Sequence, residues 1–426
     1  MSLNRRTFLH GLGAGALGTL AGWKSAEAAG VTPPLPAFSA AGATAFWAAV
    51  RAQYPLQEDP VYLNAGGLGP TPQPVLDRVA TTMAQLQEHS ETGHPLFEPT
   101  REAMAKFLGV QPAEICFVRN ATEGNSIIAA GLALEPGDEV IFDSHAHPGG
   151  SFPWINRAQQ RGIVVRLFEP DPTSDEGNLA RIKALVTPRT RVIQVSHITC
   201  TTGQVLPVTA IAAYARERGL WFHVDGAQAV GMVPVDLRAL GCDSYAFSGH
   251  KWLGGPHESG VLFLRRDRLD AVAPTGIGAY SGELALLPGE IKYAGAASRH
   301  EYGTRNAGLI AGLGAAVQLQ EVIGRERIAA HGGMLVSQLW SEFSGIADLT
   351  VLTPRPAEMR ASIITVRHPR AEAGRFFGYL LEKHRLRCRP VTEQNLGAVR
   401  ISTHVFNSPE ESARVVTAVR AAVRDL

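Results

Sequence analysis

Short apolar runs recur along the chain from Val61 onward: EICFV, EVIFD, VVRLFE, RVIQVSH, LWFHVD, SYAFSG and GVLFLR. Between them lie stretches with helical spacing of apolar positions, such as 126–134 and 208–218. Strands that are apolar throughout, alternating with helices, belong to a mostly parallel sheet covered on both faces. A helical run over 306–323 leads out of this domain. After it come strand-like segments (ASIITVRH, LRCRPV, AVRIST) and helical stretches over 371–384 and 409–426, which predict a smaller C-terminal α/β domain. Residues 29–60 read as a Pro/Ala-rich arm with a short helix over 43–54. The predicted organisation is therefore an arm, a large α/β domain over 61–305, and a linking helix with a small domain over 306–426. No internal repeat or low-complexity block interrupts it.

The first 28 residues follow a different pattern. Arg5 and Arg6 precede a Gly/Ala-rich, moderately apolar run that ends in Ala26-Glu27-Ala28. A paired arginine, a small-residue apolar run and a small-x-small cleavage site predict a twin-arginine export signal. Glycines at 11, 13, 15 and 18 make this a poor helix, and the run is too short for a stable membrane span. The expected destination is the periplasm, reached by way of the twin-arginine export machinery. That route carries folded proteins, so a cofactor loaded in the cytoplasm would travel with the chain.

Charge and cysteine content narrow the function further. Cleavage after Ala28 removes Arg5, Arg6, Lys24 and Glu27, three cations and one anion, taking the formal net charge from +1 to −1. A near-neutral protein has no electrostatic case for binding nucleic acid or a membrane surface. The four cysteines, at 116, 200, 242 and 388, are scattered without a CxxC pair. They do not form a disulfide framework or a zinc site, and no metal is expected. Cys116 and Cys242 lie in strand-like surroundings and read as core.

The chemistry begins in HVDGAQAVGMVPVDLRALGCDSYAFSGHK. It places Asp225 at the end of an apolar strand and Lys251 after a Ser-Gly-His turn 26 residues later. Pyridoxal phosphate (PLP) needs both. A buried carboxylate keeps its pyridine nitrogen protonated, and a lysine whose pKa is lowered by burial condenses with its aldehyde. Ser248 and His250 flank the lysine with donors suited to a phosphate. Gln228 is within reach of the phenolic oxygen of the ring. In FVRNATEGNSII, a strand turns into a helix start, whose free amides and dipole suit an anion. Asn120, Ala121 and Thr122 are the candidate cradle, with Thr122 as N-cap in the alternative where this is only a capped helix.

These blocks resemble the class V aminotransferase family, fold-type I PLP enzymes that include cysteine desulfurases, kynureninase-like lyases and isopenicillin N epimerase-like proteins. The resemblance runs from about Tyr62 to Val416. It implies the fold-type I architecture, a large domain with a mostly parallel sheet and a small C-terminal domain. It also implies that 120–122 is the phosphate loop and that His147, in GDEVIFDSHAHPGGSFPW, stacks on the cofactor and exchanges protons with the substrate. His145 is the alternative stacker if the Pro148-Gly149-Gly150 run shifts the loop. Thr304, in EYGTRN, matches a residue that serves the phosphate of the neighbouring subunit, which implies a homodimer. Arg305 is a candidate for the same site. Arg400, in AVRISTHVFNSPEE, matches the arginine for the substrate carboxylate. Asn64 and Gly66, in YLNAGGLGPTP, match the loop on the other side of the substrate.

The reaction is less legible than the cofactor. Cysteine desulfurases carry a nucleophilic cysteine in a loop shortly before the carboxylate-binding arginine. Here that stretch is RPVTEQNLGAVR, without cysteine. In SHITCTTGQVLP the chain has Cys200 where desulfurases carry an asparagine, and Cys200 reads as a packing residue with a catalytic role still open. Together with the export signal, the resemblance implies a periplasmic PLP enzyme acting on an amino-acid group of a small or peptide-like molecule. Its most specific version is the exported family member that converts the glutamate side chain of the siderophore pyoverdine to succinamide. The alternatives are a C–S lyase, epimerase or transaminase of a free amino acid, and a non-catalytic binding protein. The presence of Lys251, Asp225 and His147 together speaks against the last.

Overall fold

The structure is a computed structural model that describes residues 35–283 and 287–426. The expected export signal and the first residues of the arm lie outside the described residues. The seven apolar runs form one sheet in the spatial order Ile115–Val118, Gly260–Leu264, Ser244–Ser248, Trp221–Asp225, Thr190–Ser196, Glu139–Asp143, Val164–Phe168. Gly260–Leu264 runs antiparallel to both neighbours, and the other pairings are parallel. All but Val164–Phe168, which lies at one end, are buried along almost their whole length. Buried parallel strands leave no solvent face for polar residues, which is why they read as unbroken apolar runs. Their C-terminal ends open a crevice, the usual ligand position in such sheets.

The helix expected at 126–134 spans Ala121–Gly131, with Asn120 as its cap. The polar start ATEGNS hides the first turns from a reading based on apolar spacing. Pro148–Arg161 is likewise a helix rather than a displaced Pro-Gly-Gly loop. Proline at the first helical position has its fixed φ already suited to the helix, and His147 caps the end.

The helix Ala307–Ile323 packs on Gln73–His89 and Phe97–Leu108 of the large domain, and then bends by 75° at Gly324 into Arg325–Ser344. Among the described residues no single helix is long and apolar enough to cross a membrane. The small sheet has the order Thr350–Val351, Ile363–Arg367, Ala398–Ser402, Arg389–Val391. The LRCRPV run splits at Cys388. Arg389–Val391 joins the small sheet, whereas Leu386–Arg387 pairs in parallel with Val61–Tyr62. Val61 and Leu63 accordingly pack in the small-domain core with Phe376, Leu380 and Val399. The segment that follows them, Asn64 to Gly69, crosses into the crevice.

Candidate active site

The strand Trp221–Asp225 points Trp221, His223 and Asp225 to the same side, because strand side chains alternate. Asn125, buried on the helix Ala121–Gly131, donates from Nδ2 to Asp225 Oδ2 at 3.0 Å and to the Gly149 carbonyl at 3.1 Å. Its Oδ1 must therefore accept, and it meets His223 Nε2 at 2.8 Å. His223 Nδ1 then accepts from Ser244 Oγ at 2.8 Å, and that oxygen accepts from Trp221 Nε1 at 3.0 Å. Each proton in this chain is assigned by its neighbour. The chain runs in one direction from indole to carboxylate. Burial pushes His223 down to about 3, which keeps it neutral and in this tautomer. Asp225 Oδ1 accepts the Ala227 amide at 3.0 Å. Gly150 closes on the same carboxylate, and a β-carbon there would lie 2.8 Å from Asp225 Oδ2.

Lys251 follows the strand Ser244–Ser248 on a turn clamped by the glycine loop. The Gly69 amide donates to the His250 carbonyl at 2.8 Å, and a β-carbon on Gly69 would fall 1.8 Å from the Lys251 carbonyl oxygen. Burial lowers the Lys251 pKa. Cys200 and Asp225 oppose that fall and Arg400 and Arg389 add to it. The net direction is down, toward the neutral, nucleophilic amine.

The helix start near Lys251 is only partly free. Asn120 Oδ1 accepts the Glu123 amide at 3.0 Å, so Asn120, not Thr122, is the cap, and its side chain is committed to the fold. The Ala121 amide donates to Ser248 Oγ at 3.0 Å. Thr122 keeps its hydroxyl and an amide of the kind a helix start leaves without an intrahelical acceptor. Ser248 retains its hydroxyl proton. His250 Nδ1 is buried without a partner among the described residues, and burial brings the ring down to about 4. The Thr122 amide and hydroxyl and the Ser248 hydroxyl are donors at a helix start, an arrangement that suits a phosphate.

Of the two histidines in SHAHPG, His145 is anchored at both nitrogens, by Glu169 Oε1 at 3.0 Å and Thr201 Oγ1 at 2.8 Å. His147 faces the charges of the crevice. Burial lowers its pKa, Lys251 adds to that, and Asp225 opposes it. Its Nδ1 accepts the Gly149 amide at 3.0 Å, which leaves the proton on Nε2.

At the opposite side, Arg400 is buried in the strand Ala398–Ser402. Its Nη1 donates to the Cys200 carbonyl at 2.7 Å and its Nη2 to Asn64 Oδ1 at 2.9 Å, while Nε has no partner among the described residues. Cys200 holds Arg400 through its carbonyl. Burial raises the thiol pKa more than Arg400 and Lys251 lower it, which argues against a nucleophile. Gln228 donates to the Gly66 carbonyl at 2.9 Å and accepts from Trp252 Nε1 at 2.8 Å, leaving one amide proton for a ligand. Gly66 sits among Gln228, Ser402 and Arg400, where a β-carbon would approach all three within 3.2 Å.

Thr304 is exposed beside Arg119, Glu258 and Tyr302, and is not brought to the Lys251 crevice of its own subunit. Arg305 is turned away from that crevice and donates to the Phe117 carbonyl. Sequence reasoning missed Asn125 and His223. The signal for both was present, since a buried polar residue in LWFHVD or in TEGNSII requires a partner.

PLP fits this set. Asp225 has a donor-held carboxylate, Lys251 an amine whose pKa burial lowers, and Thr122 and Ser248 have open donors at the helix start.

The class-V aminotransferase model matches residues 61–412. An isopenicillin N epimerase from Amycolatopsis lactamdurans is 31% identical, covering 88% of this chain and 98% of the relative. A probable cysteine desulfurase from Vibrio cholerae is 33% identical over the same shares. The apo cysteine desulfurase of Thermococcus onnurineus superimposes with a TM-score of 0.81 at 26% identity, covering 89% of this chain and 98% of that one. A mutant of the cystine C–S lyase C-DES, with glycine covalently linked to its PLP cofactor, superimposes with a TM-score of 0.79 at 28% identity, covering 87% and 98%. The chain belongs to the class V aminotransferase family of PLP-dependent enzymes.

Proposed function

We propose that this enzyme acts at the α-carbon of an amino-acid group, holding the α-carboxylate on Arg400 and the amino group beside Lys251, without a thiol relay. The observation that carries this reading is Arg400, a buried guanidinium pre-oriented by Asn64 and the Cys200 carbonyl and, among the described residues, still short of an acceptor at Nε. A planar fork fixed in this way recognises a carboxylate. Bound PLP supplies an electron sink that loosens the bonds at the α-carbon. Lys251 Nζ, whose pKa is lowered by burial, accepts and returns a proton, and His147 Nε2 is a second proton-carrying atom. All four cysteines are buried, and burial pushes Cys242 and Cys388 up to about 12. No thiol is set to accept sulfur, which weighs against desulfurase chemistry despite the desulfurase relatives.

The most specific version is a periplasmic enzyme that oxidatively decarboxylates the glutamate side chain of pyoverdine to succinamide. Its support is the export-type N-terminus from Arg5 to Ala28 together with an amino-acid site lacking a thiol relay. Purified PLP-loaded enzyme incubated in air with the glutamyl siderophore should change its mass to that of the succinamide form. An unchanged mass with and without oxygen rejects this version. Fractionation that leaves the protein in the cytoplasm rejects the export route.

A second reading, a C–S lyase, epimerase or transaminase of a free amino acid, is favoured by the isopenicillin N epimerase relative and the C-DES neighbour. Single-turnover incubation with L-cystine and with single enantiomers separates these. Only a transaminase leaves the aminated cofactor without a second substrate. The active unit in either reading is a homodimer, with Thr304 serving the phosphate of the neighbouring site. Sedimentation giving a monomer at working concentration counts against it.

A further inference from the structure

Beside Arg400 stands a second arginine to which the site described so far gives no role. Arg389 lies directly opposite Arg400 in the antiparallel pair Arg389–Val391 and Ala398–Ser402. Directly opposed residues point to the same face, with β-carbons about 4.5–5.5 Å apart. Arg389 thus projects on the side where Arg400 meets Asn64 and the Cys200 carbonyl. Its charge reaches the site, adding to the burial that lowers the pKa of Lys251 and of Arg400.

Arg389 is not a free cation. Its Nη2 donates to Glu393 Oε1 on the following turn, and Glu393 Oε2 accepts the Thr392 amide at 3.1 Å. Burial alone would raise the Glu393 pKa, but the Arg389 hydrogen bond and charge together with backbone amides outweigh it and Glu393 stays ionised. Arg389 Nη1, in contrast, is buried with no partner among the described residues. The pair therefore presents a dipole, with an open N–H donor on one side and carboxylate lone pairs on the other. Both side chains are partly exposed, at 28% and 24%, while Arg389 Nη1 itself is covered, so a ligand engages that donor only by shifting the side chain.

We propose that Arg389 and Glu393 form a side-chain subsite selecting substrates with a carboxamide or amide-linked side chain over free dicarboxylates and hydrocarbons. This rests on the reading that Arg400 holds the α-carboxylate. An amide offers its carbonyl oxygen to Arg389 Nη1 and its N–H to Glu393, satisfying both. A side-chain carboxylate satisfies only Arg389 and is repelled by Glu393. A hydrocarbon leaves the buried donor unpaired, which is how a polar site rejects an apolar isostere.

The test uses the full-length PLP-loaded protein, titrated with L-glutamine, N5-methyl-L-glutamine, L-asparagine, L-glutamate and L-methionine. Binding is read from the change in visible absorbance of the cofactor. At least one amide should bind roughly tenfold or more tighter than L-glutamate and L-methionine. Arg389→Met should collapse the ratio of amide to methionine affinity. Glu393→Gln should invert the ratio of glutamine to glutamate, because an unneutralised Arg389 then favours an anion. Amides binding no better than L-methionine, with a normal absorbance change, overturn the subsite and leave the α-carbon reading intact. An unaltered glutamine-to-glutamate ratio in Glu393→Gln also overturns it. No absorbance change with any amino acid overturns both.

Discussion

Asn125 donates to Asp225 at 3.0 Å, and this bond ties the carboxylate to a chain of donors that begins at Trp221. Asn125→Leu removes the donor to Asp225 and the acceptor of His223 Nε2, leaving buried polar groups unpaired. Losing one such partner costs about 1–3 kcal/mol. The expected outcome is a folded protein whose PLP affinity falls about tenfold or more, measured by equilibrium dialysis. A Ser244→Ala variant should move affinity in the same direction and by less. Unchanged affinity in Asn125→Leu would remove the donor chain from any role at the cofactor.

Two glycines test how closely backbone approaches the chemistry. In Gly150→Ala the new methyl lies 2.8 Å from Asp225 Oδ2 and 3.2 Å from Gln194 Nε2, so the carboxylate must move. Cofactor occupancy should drop while circular dichroism stays native. In Gly69→Ala the methyl meets the Lys251 carbonyl at 1.8 Å, backbone against backbone. That variant should lose thermal stability as well as cofactor, and a native Tm would show that the loop has room to shift.

Cys200 is predicted to be dispensable as a thiol. Its carbonyl holds Arg400 and its side chain is a buried group with a raised pKa. Cys200→Ala should keep kcat/KM within about tenfold of wild type, whereas loss of a nucleophile costs far more. A loss beyond a thousandfold, with cofactor still bound, would restore the thiol to the mechanism.

Stability should fall steeply in mild acid. Burial holds His223 at about 3 and His197, His250, His300 and His404 at about 4 in the folded protein, against 6.5 for an ordinary imidazole. A depressed histidine means that the unfolded chain binds more protons between the two values. Each contribution is full above about pH 6.5 and is lost as pH drops toward 4. Asp143, raised to about 6 by burial, works in the opposite sense over part of this window, but one carboxyl is set against five imidazoles. Thermal denaturation from pH 7.5 to 4.5 should show a falling Tm, and a flat profile would contradict the buried neutral rings.

The sheet was legible because buried parallel strands are apolar on both faces. Asp225 and Lys251 were legible because each sits where an apolar strand ends. The first turns of the Ala121–Gly131 helix were not, since their residues serve a cap and an anion-binding end rather than an apolar face. His145 and His147 are separated only by Ala146 in sequence. What distinguishes them is Glu169 and Thr201, which arrive from distant segments and anchor His145. The Arg389 and Glu393 pair was hidden for a similar reason. Its meaning depends on strand register with Arg400, and register is a property of the folded sheet.

The pairing of Val61–Tyr62 with Leu386–Arg387 sets an order on the making of the protein. Val61 and Leu63 have their hydrophobic partners more than 270 residues downstream, so on the ribosome this stretch must wait for the small domain. The glycine loop that clamps the lysine turn is held between that late core and the large sheet. A nascent chain can therefore complete its seven-stranded sheet well before it has a closed crevice. Cofactor retention becomes a report that the small-domain core has formed.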